Sequence, residues 1–184
     1  MTIIVDGVDV TTRPKRSIFL SAQSGIPTTT APCASATQVE SSTNDVNYYH
    51  LAFDKTTVEY AEWNFAMPDN YDGGALTARF YWTVASSSLN VIWRIAGRAF
   101  ADSDAIDQAF GTAVAVTDTV LTALDIHISG ESAAFTLAGT PAGGQFVAIR
   151  VNRFASDGGD DLDADALLLG VKLIYGTNYW SDSL

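Results

Sequence analysis

Short stretches of alternating apolar and polar residues follow one another between positions 63 and 175. A period of two residues is that of a β-strand with one buried and one exposed face. The clearest stretch spans residues 76–84, where the side chains expected in the core are Leu76, Ala78, Phe80, Trp82 and Val84. Later strands are predicted at residues 113–118, 125–129, 134–138, 145–154 and 167–175. In the last of these the pattern places Leu167, Leu169, Val171, Leu173 and Tyr175 inward.

Turn-forming sequences separate the predicted strands. Residues 67–74 and 140–144 contain Pro and paired Gly, which end one strand before the next begins. About eight to ten short strands separated in this way predict an all-β fold, an antiparallel β-sandwich of jelly-roll type. Residues 101–110 predict one short crossing helix, with Asp102 or Ser103 at its N-cap and Gly111 after its end.

The first part of the chain has a different composition. Residues 21–45 are rich in Ser, Thr, Ala and Pro and carry too few large apolar side chains for a core of their own. We therefore predict an extended N-terminal arm over residues 1–45, which becomes ordered against a neighbouring subunit, and a jelly-roll domain over residues 46–184.

Composition narrows the classes of partner. The chain has 184 residues, of which 47% are hydrophobic and only 17% charged, with a formal net charge of −11. Low charge content is typical of surfaces that meet other subunits. The acidic balance argues against nucleic acid and against anionic membranes, since both need clustered basic residues. The one basic cluster is Arg13, Lys15 and Arg16.

Cysteine content and the N-terminal sequence indicate the compartment. A single cysteine, Cys33, excludes an intrachain disulfide and is expected to be unreactive. The first residues lack the basic start and long apolar stretch of a signal peptide, and no apolar run reaches membrane-spanning length. We expect the protein to be made, and assembled into something larger, in a cytoplasm.

Residues 157–165 are the most acidic segment and raise the possibility of a cation site. Hard cations need several oxygens close together, which makes Asp157, Asp160, Asp161 and Asp163 weak calcium candidates. The segment lacks the ordered EF-hand pattern with its terminal Glu. A solvated turn is therefore the favoured interpretation.

Residues with catalytic potential are sparse. His50 and His127 are isolated and have no cysteine partner at zinc spacing, so both are expected to be ordinary surface or interface residues. No nucleophile elbow, marked carboxylate pair or phosphate-binding loop is present. Trp82 and Trp93 lie in phase with aliphatic residues and are predicted in the core. We predict no catalytic residue, no cofactor and no metal requirement.

Several stretches resemble one family of proteins. They are TQVESSTNDVNYYHLAFDKTTVEYAEWNFAMPDNYDGGALTARFYWT, DQAFGTAVAVTDT, HISGESAAFTLAGTPAGGQFVAIRVNRFASD and DADALLLGVKLIYGTN. In this order they resemble small jelly-roll virion structural proteins of tailed bacteriophages, over about residues 15–177. The resemblance implies a virion protein, with a homotrimeric head decoration (cement) protein on the capsid surface, bound to the major capsid protein, as the first expectation.

The sequence therefore leaves two alternative functions. The first is a non-enzymatic cement protein that stabilises the capsid, and the alternative is a tail-associated receptor-binding or carbohydrate-binding module. The candidates for subunit or capsid contact are Arg13, Lys15, Arg16, Arg79, Tyr81, Arg94, Tyr179 and Trp180.

Overall fold

A computed structural model describes residues 4–5, 8–9 and 14–178, and the fold is almost entirely β. The strands are β1 (Ile4–Val5), β2 (Val8–Asp9), β3 (Lys15–Ser21), β4 (Ile26–Pro27), β5 (Thr37–Glu40), β6 (Asn47–Phe53), β7 (Tyr60–Ala66), β8 (Thr77–Thr83), β9 (Asn90–Phe100), β10 (Val114–Thr119), β11 (His127–Ile128), β12 (Phe146–Arg153) and β13 (Ala166–Gly176). A 3₁₀ helix, Ala22–Ser24, follows β3. No helix in these ranges is long and apolar enough to cross a membrane.

Two antiparallel sheets form a sandwich. The five-stranded sheet has the order β10-β9-β12-β7-β4, and the six-stranded sheet has the order β11-β8-β13-β6-β5, with β3 also paired to β13. Successive strands from β6 to β9 alternate between the two sheets. The all-β sandwich of jelly-roll type predicted from the sequence is confirmed.

The core lies between the two sheets and has the composition that the alternation predicts. All five residues expected inward on β8 and its flanks, Trp82 among them, are fully buried, and so is Trp93. The indole ring of Trp93 stacks on Phe80 at 5.6 Å and meets the edge of Phe53 at 5.3 Å. Offset and edge-to-face contacts of this kind are the favoured aromatic geometries.

A β-bulge changes the predicted face of the last strand. The register of β13 against β8 shifts between Leu168 and Gly170. Val171, Leu173 and Tyr175 are buried as predicted, but before the bulge Leu168 is buried, whereas Leu167 and Leu169 are only partly covered. The inward prediction for Leu167 and Leu169 is therefore wrong, because one extra residue in a strand inverts the alternation.

The predicted crossing helix at residues 101–110 is absent, and this segment is a series of turns. The Oδ2 atom of Asp104 accepts a hydrogen bond from the Ala101 amide at 2.9 Å, and Ser103 has a left-handed φ of 70°. Residues 101–109 are all exposed, so a helix here would have no apolar face to pack. Short polar side chains that bond to nearby amides favour turns over helices.

Much of the expected N-terminal arm takes part in the sandwich. Strand β3 pairs with β13 over seven residues, and β4 pairs with β7. Leu20, Ala22 and Cys33 are buried in the core cluster, and Trp63 Nε1 donates to the Ser21 carbonyl at 2.9 Å. Residues 15–27 are therefore part of the folded domain and not a free extension.

Candidate functional site

The contact candidates from the sequence do not form one surface. Arg79 and Tyr81 lie on the outer face of β8 in the six-stranded sheet, whereas Arg94 lies on the outer face of β9 in the opposite sheet. Lys15 and Arg16 are exposed on β3. Arg13, Tyr179 and Trp180 lie outside the described residues.

The acidic segment forms hydrogen bonds to backbone amides at separate places. Asp157 Oδ1 accepts from Gly159 N at 2.9 Å, and Asp161 Oδ1 accepts from Asn90 N at 2.7 Å. Asp165 Oδ1 accepts from Lys55 N at 3.1 Å. Among the described residues no group of three His, Cys, Asp or Glu side chains is placed to hold a metal ion. Asp157 therefore closes a turn within the segment, whereas Asp161 and Asp165 attach the segment to the start of β9 and to the loop after β6.

Asp160, one of the calcium candidates, has a fully buried partner that the sequence did not indicate. Arg153 Nη2 is 2.7 Å from Asp160 Oδ1, and both side chains have no solvent exposure. The guanidinium also donates to the carbonyls of Leu162 and Ala164, at 2.5 and 2.7 Å. The second carboxylate oxygen of Asp160 accepts from the Ile92 amide at 2.9 Å. Both charges are therefore paired and hydrogen-bonded, and the Arg153–Asp160 pair attaches the acidic segment to β9 and β12.

The structure corrects the expectation for His127. The residue is 3% exposed, and its ring lies 4.8 Å from Trp82, the residue opposite it in the sheet register. Its neighbour Ile128 is exposed instead, since alternation turns the two side chains to opposite faces. His50 is partly covered on β6, and desolvation by burial lowers the pKa of its imidazole.

Three arginine side chains on the outer face of the five-stranded sheet lie over aromatic rings. The guanidinium of Arg94 lies 4.3 Å from the ring centre of Phe154, and that of Arg98 lies 5.4 Å from Phe100. Arg150 lies 4.2 Å from the ring centre of Phe110, which belongs to the segment between β9 and β10. A cation over an aromatic face is stabilised by the ring quadrupole. These long side chains are thus held in defined positions over the sheet.

Arg150 is also paired with Glu62, its neighbour across β12 and β7. The Nε and Nη2 atoms of Arg150 lie 2.7 and 2.6 Å from Glu62 Oε1. The Tyr60 ring centre is also 5.7 Å from the guanidinium. The Arg150 side chain is 40% exposed and that of Glu62 is 24% exposed. The pair is therefore ordered by its neighbours and still accessible to a ligand.

A cleft of about 550 Å³ opens beside this group, which we call the Tyr60 site: Tyr60, Glu62 and Arg150. Its other wall is formed by the segment that follows β4, residues 28–31. Thr28 Oγ1 donates to the Thr30 carbonyl at 2.7 Å, and Tyr60 N donates to the Ala31 carbonyl at 2.9 Å. The first bond lies within the wall, and the second attaches the wall to β7. The cleft thus combines a ring face, a guanidinium, a carboxylate and threonine hydroxyls.

This combination suits a ligand rich in hydroxyl groups. A planar guanidinium and a carboxylate can donate to and accept from neighbouring hydroxyls in pairs, and an aromatic ring covers an apolar C–H face. A few fixed polar groups beside an apolar surface are typical of small-molecule sites. The sequence shows Glu62 and Arg150 as outward residues of two strands, but no local signal indicates that these strands pair.

The chain matches no protein-family model and no curated protein. Solved structures with a similar fold include carbohydrate-binding modules. A family 35 carbohydrate binding module from Clostridium thermocellum is 16% identical, and the match covers 86% of this chain and 97% of the module with a TM-score of 0.50.

Two further modules match with lower scores. A CBM22-1 xylan-binding domain from Paenibacillus barcinonensis is 8% identical, with 91% of this chain and 98% of the domain covered and a TM-score of 0.46. A CBM28 module specific for non-crystalline cellulose is 10% identical, with 95% of this chain and all of the module (100%) covered and a TM-score of 0.42. At this identity the likeness to the family 35 module shows a shared fold.

Proposed function

We propose that the protein is a non-catalytic glycan-binding module and that the Tyr60 site holds the sugar. The observation that carries the proposal is the Arg150–Glu62 pair, which lies beside the Tyr60 and Phe110 rings and lines an open cleft. The shared fold is compatible with this role, because the same sandwich serves as a carbohydrate binding module in the family 35 structure.

The electrostatics of the site favour a neutral sugar. The guanidinium of Arg150 is balanced by the Glu62 carboxylate at 2.6 Å, so the two groups together carry no net charge. Each retains hydrogen-bonding capacity beyond the pair, since a guanidinium has five N–H donors and a carboxylate about four acceptor positions. A neutral polyhydroxyl ligand can use both kinds of group without leaving an unpaired charge.

A glycan array followed by affinity measurements tests the proposal. Arg150→Met should weaken binding to any glycan found on the array by about ten- to a hundredfold, because one hydrogen bond to a charged group contributes roughly 1.5–3 kcal/mol. Tyr60→Ala removes the ring that covers the sugar and should weaken binding as well. Tyr81→Ala, on the outer face of the opposite sheet, is the matched control and should bind as the wild type does. An array without any glycan that binds would count against the proposal, as would equal losses in the Tyr60 and Tyr81 variants.

A virion structural role is the second candidate. The observation that favours it is a group of exposed aliphatic side chains close together in sequence, Leu121, Leu124 and Ile126, each at least 67% exposed. Apolar groups of this kind are typical of surfaces that meet another protein. Antibody-gold labelling of phage particles tests the role: gold over the shell supports head decoration, gold at the tail supports glycan recognition on a host, and unlabelled particles reject both positions.

A further inference from the structure

A row of apolar side chains crosses the outer face of the six-stranded sheet. The row consists of Phe19 on β3, Tyr81 on β8 and Ile128 on β11, with β13 lying between β3 and β8. We call these three side chains the Phe19 row. The rings of Phe19 and Tyr81 meet edge to face at 5.4 Å. Phe19 is 54% exposed and Ile128 is 51% exposed. A contiguous exposed apolar row of this kind indicates an interaction surface.

The β-bulge builds this row. Gly170 is opposite Tyr81 on one side and Ser21 on the other, and a Cβ atom there would lie 2.5 Å from Phe19 Cζ. The missing side chain therefore lets the Phe19 ring lie across β13 and reach Tyr81. The contact is a consequence of the local backbone and not of an accidental rotamer.

Basic side chains surround the row in an otherwise acidic protein. Lys172 is the sheet neighbour of both Phe19 and Arg79, so two like charges lie directly opposite each other. Glu131, 3.9 Å from Arg79, offsets part of this positive charge, and Lys15 adds a further exposed cation on the same strand as Phe19. Like charges opposite each other destabilise a sheet, and an anionic partner would remove that repulsion. The surface therefore fits a partner that offers carboxylates beside an apolar patch.

The chain carries such a patch at the end of the five-stranded sheet. A cleft of about 640 Å³ there includes Phe100, Phe146 and Ile106, with Asp102 and Asp104 at its rim. Ile106 is 87% exposed and Phe146 is 51% exposed, and the Phe100 and Phe146 rings lie 6.0 Å apart. We call this the acidic cleft. Its charge is opposite to that of the Phe19 row, and both have an apolar centre.

We propose that the protein associates with itself head to tail, the Phe19 row of one copy docking in the acidic cleft of the next. The partner is a second copy because the chain supplies both complementary surfaces. The two surfaces lie on different sheets, so the contact is heterologous and builds a closed ring or an open chain.

Sedimentation velocity over a range of protein and salt concentrations tests the proposal. The wild type should form oligomers that dissociate as salt increases, because the contact pairs opposite charges. Lys172→Glu, which disables the row, and Asp102→Lys, which disables the cleft, should each give monomers. Lys55→Glu makes the same charge change at an exposed site elsewhere and should leave the oligomers intact. Circular dichroism confirms that each variant is folded.

The decisive sample is an equimolar mixture of the two monomeric variants. The intact row of one variant then fits the intact cleft of the other, and the reversed row and reversed cleft are again opposite in charge, so the mixture should regain oligomers. A wild type that stays monomeric at every concentration overturns the proposal, and so does a mixture that remains monomeric. If the wild type stays monomeric but binds a basic or acidic protein of another kind, the partner is not a second copy. Glycan binding by the Lys172→Glu variant separates this outcome from failure of the Tyr60 site.

Discussion

Arg153 and Asp160 form an ion pair from which solvent is excluded on both sides, with Nη2 2.7 Å from Oδ1. Removing one partner of a buried pair leaves the other charge unpaired, which destabilises a protein by about 3–5 kcal/mol. We expect Asp160→Asn to lower the free energy of unfolding by this amount in urea denaturation. Asp163→Asn, an exposed aspartate of the same segment, should change it by less than about 0.5 kcal/mol. Equal effects of the two changes would contradict the structural role of the pair.

Calcium should have no effect on stability. The carboxylates of Asp157, Asp160 and Asp161 are directed to different backbone amides, and Asp160 is also neutralised by Arg153. A ligand that bound the folded state alone would raise the melting temperature as its concentration rose. Thermal unfolding in EDTA and in millimolar calcium should therefore give the same midpoint. A clear rise with calcium would show that the segment rearranges into a cation site.

Gly170 is required for the packing of β3 on β13. A Cβ atom at this position would lie 2.5 Å from Phe19 Cζ and 2.7 Å from the Leu20 carbonyl oxygen. We expect Gly170→Ala to destabilise the fold by about 1–3 kcal/mol, because backbone must move to make room. At Gly158 an added Cβ would meet no atom within 4 Å, so Gly158→Ala is the control. Denaturation curves that coincide for the two variants would refute this view of the bulge.

Burial should keep the Cys33 thiol protonated and make stability fall at high pH. Desolvation raises its pKa from 9.0 to about 12, with a further contribution from the charge of Glu59. Between these values the unfolded thiol ionises while the folded thiol does not, so the free energy of unfolding decreases as pH rises from about 9 to 12. Iodoacetamide should modify Cys33 slowly in the folded protein and rapidly in urea. Cys33→Ala should show a smaller decrease above pH 9, and an unchanged slope would argue against this assignment.

The sequence predicts the strand faces well wherever the alternation is uninterrupted. The inward residues of β8 and the two core tryptophans are confirmed for this reason. The alternation predicts the wrong face for Leu167 and Leu169, since a single extra residue shifts the phase and carries no mark in the sequence. The pattern at residues 101–110 predicts a helix where the structure has turns, because the same polar side chains can cap a helix or bond within a turn.

The candidate site is harder to predict than the fold. Glu62 and Arg150 are 88 positions apart, and their contact depends on the pairing of β7 with β12. That pairing results from the topology of the whole sandwich, which local patterns do not specify. The buried ion pair of Arg153 is equally difficult to predict from the sequence. The position of Arg153 on a strand does not indicate a charged partner, and Asp160 lies in an acidic segment whose composition points to a calcium site. The virion location and any contact with a capsid protein stay predictions.

The most direct test of the central claim is an NMR titration of ¹⁵N-labelled protein with an oligosaccharide that binds on the array. We predict that the amide shifts change at residues 28–31 and at Tyr60, Glu62 and Arg150, and that the arginine Nε signal of Arg150 moves with them. Shifts confined to the outer face of the six-stranded sheet, around Phe19 and Tyr81, would contradict the Tyr60 site as the place where the sugar binds.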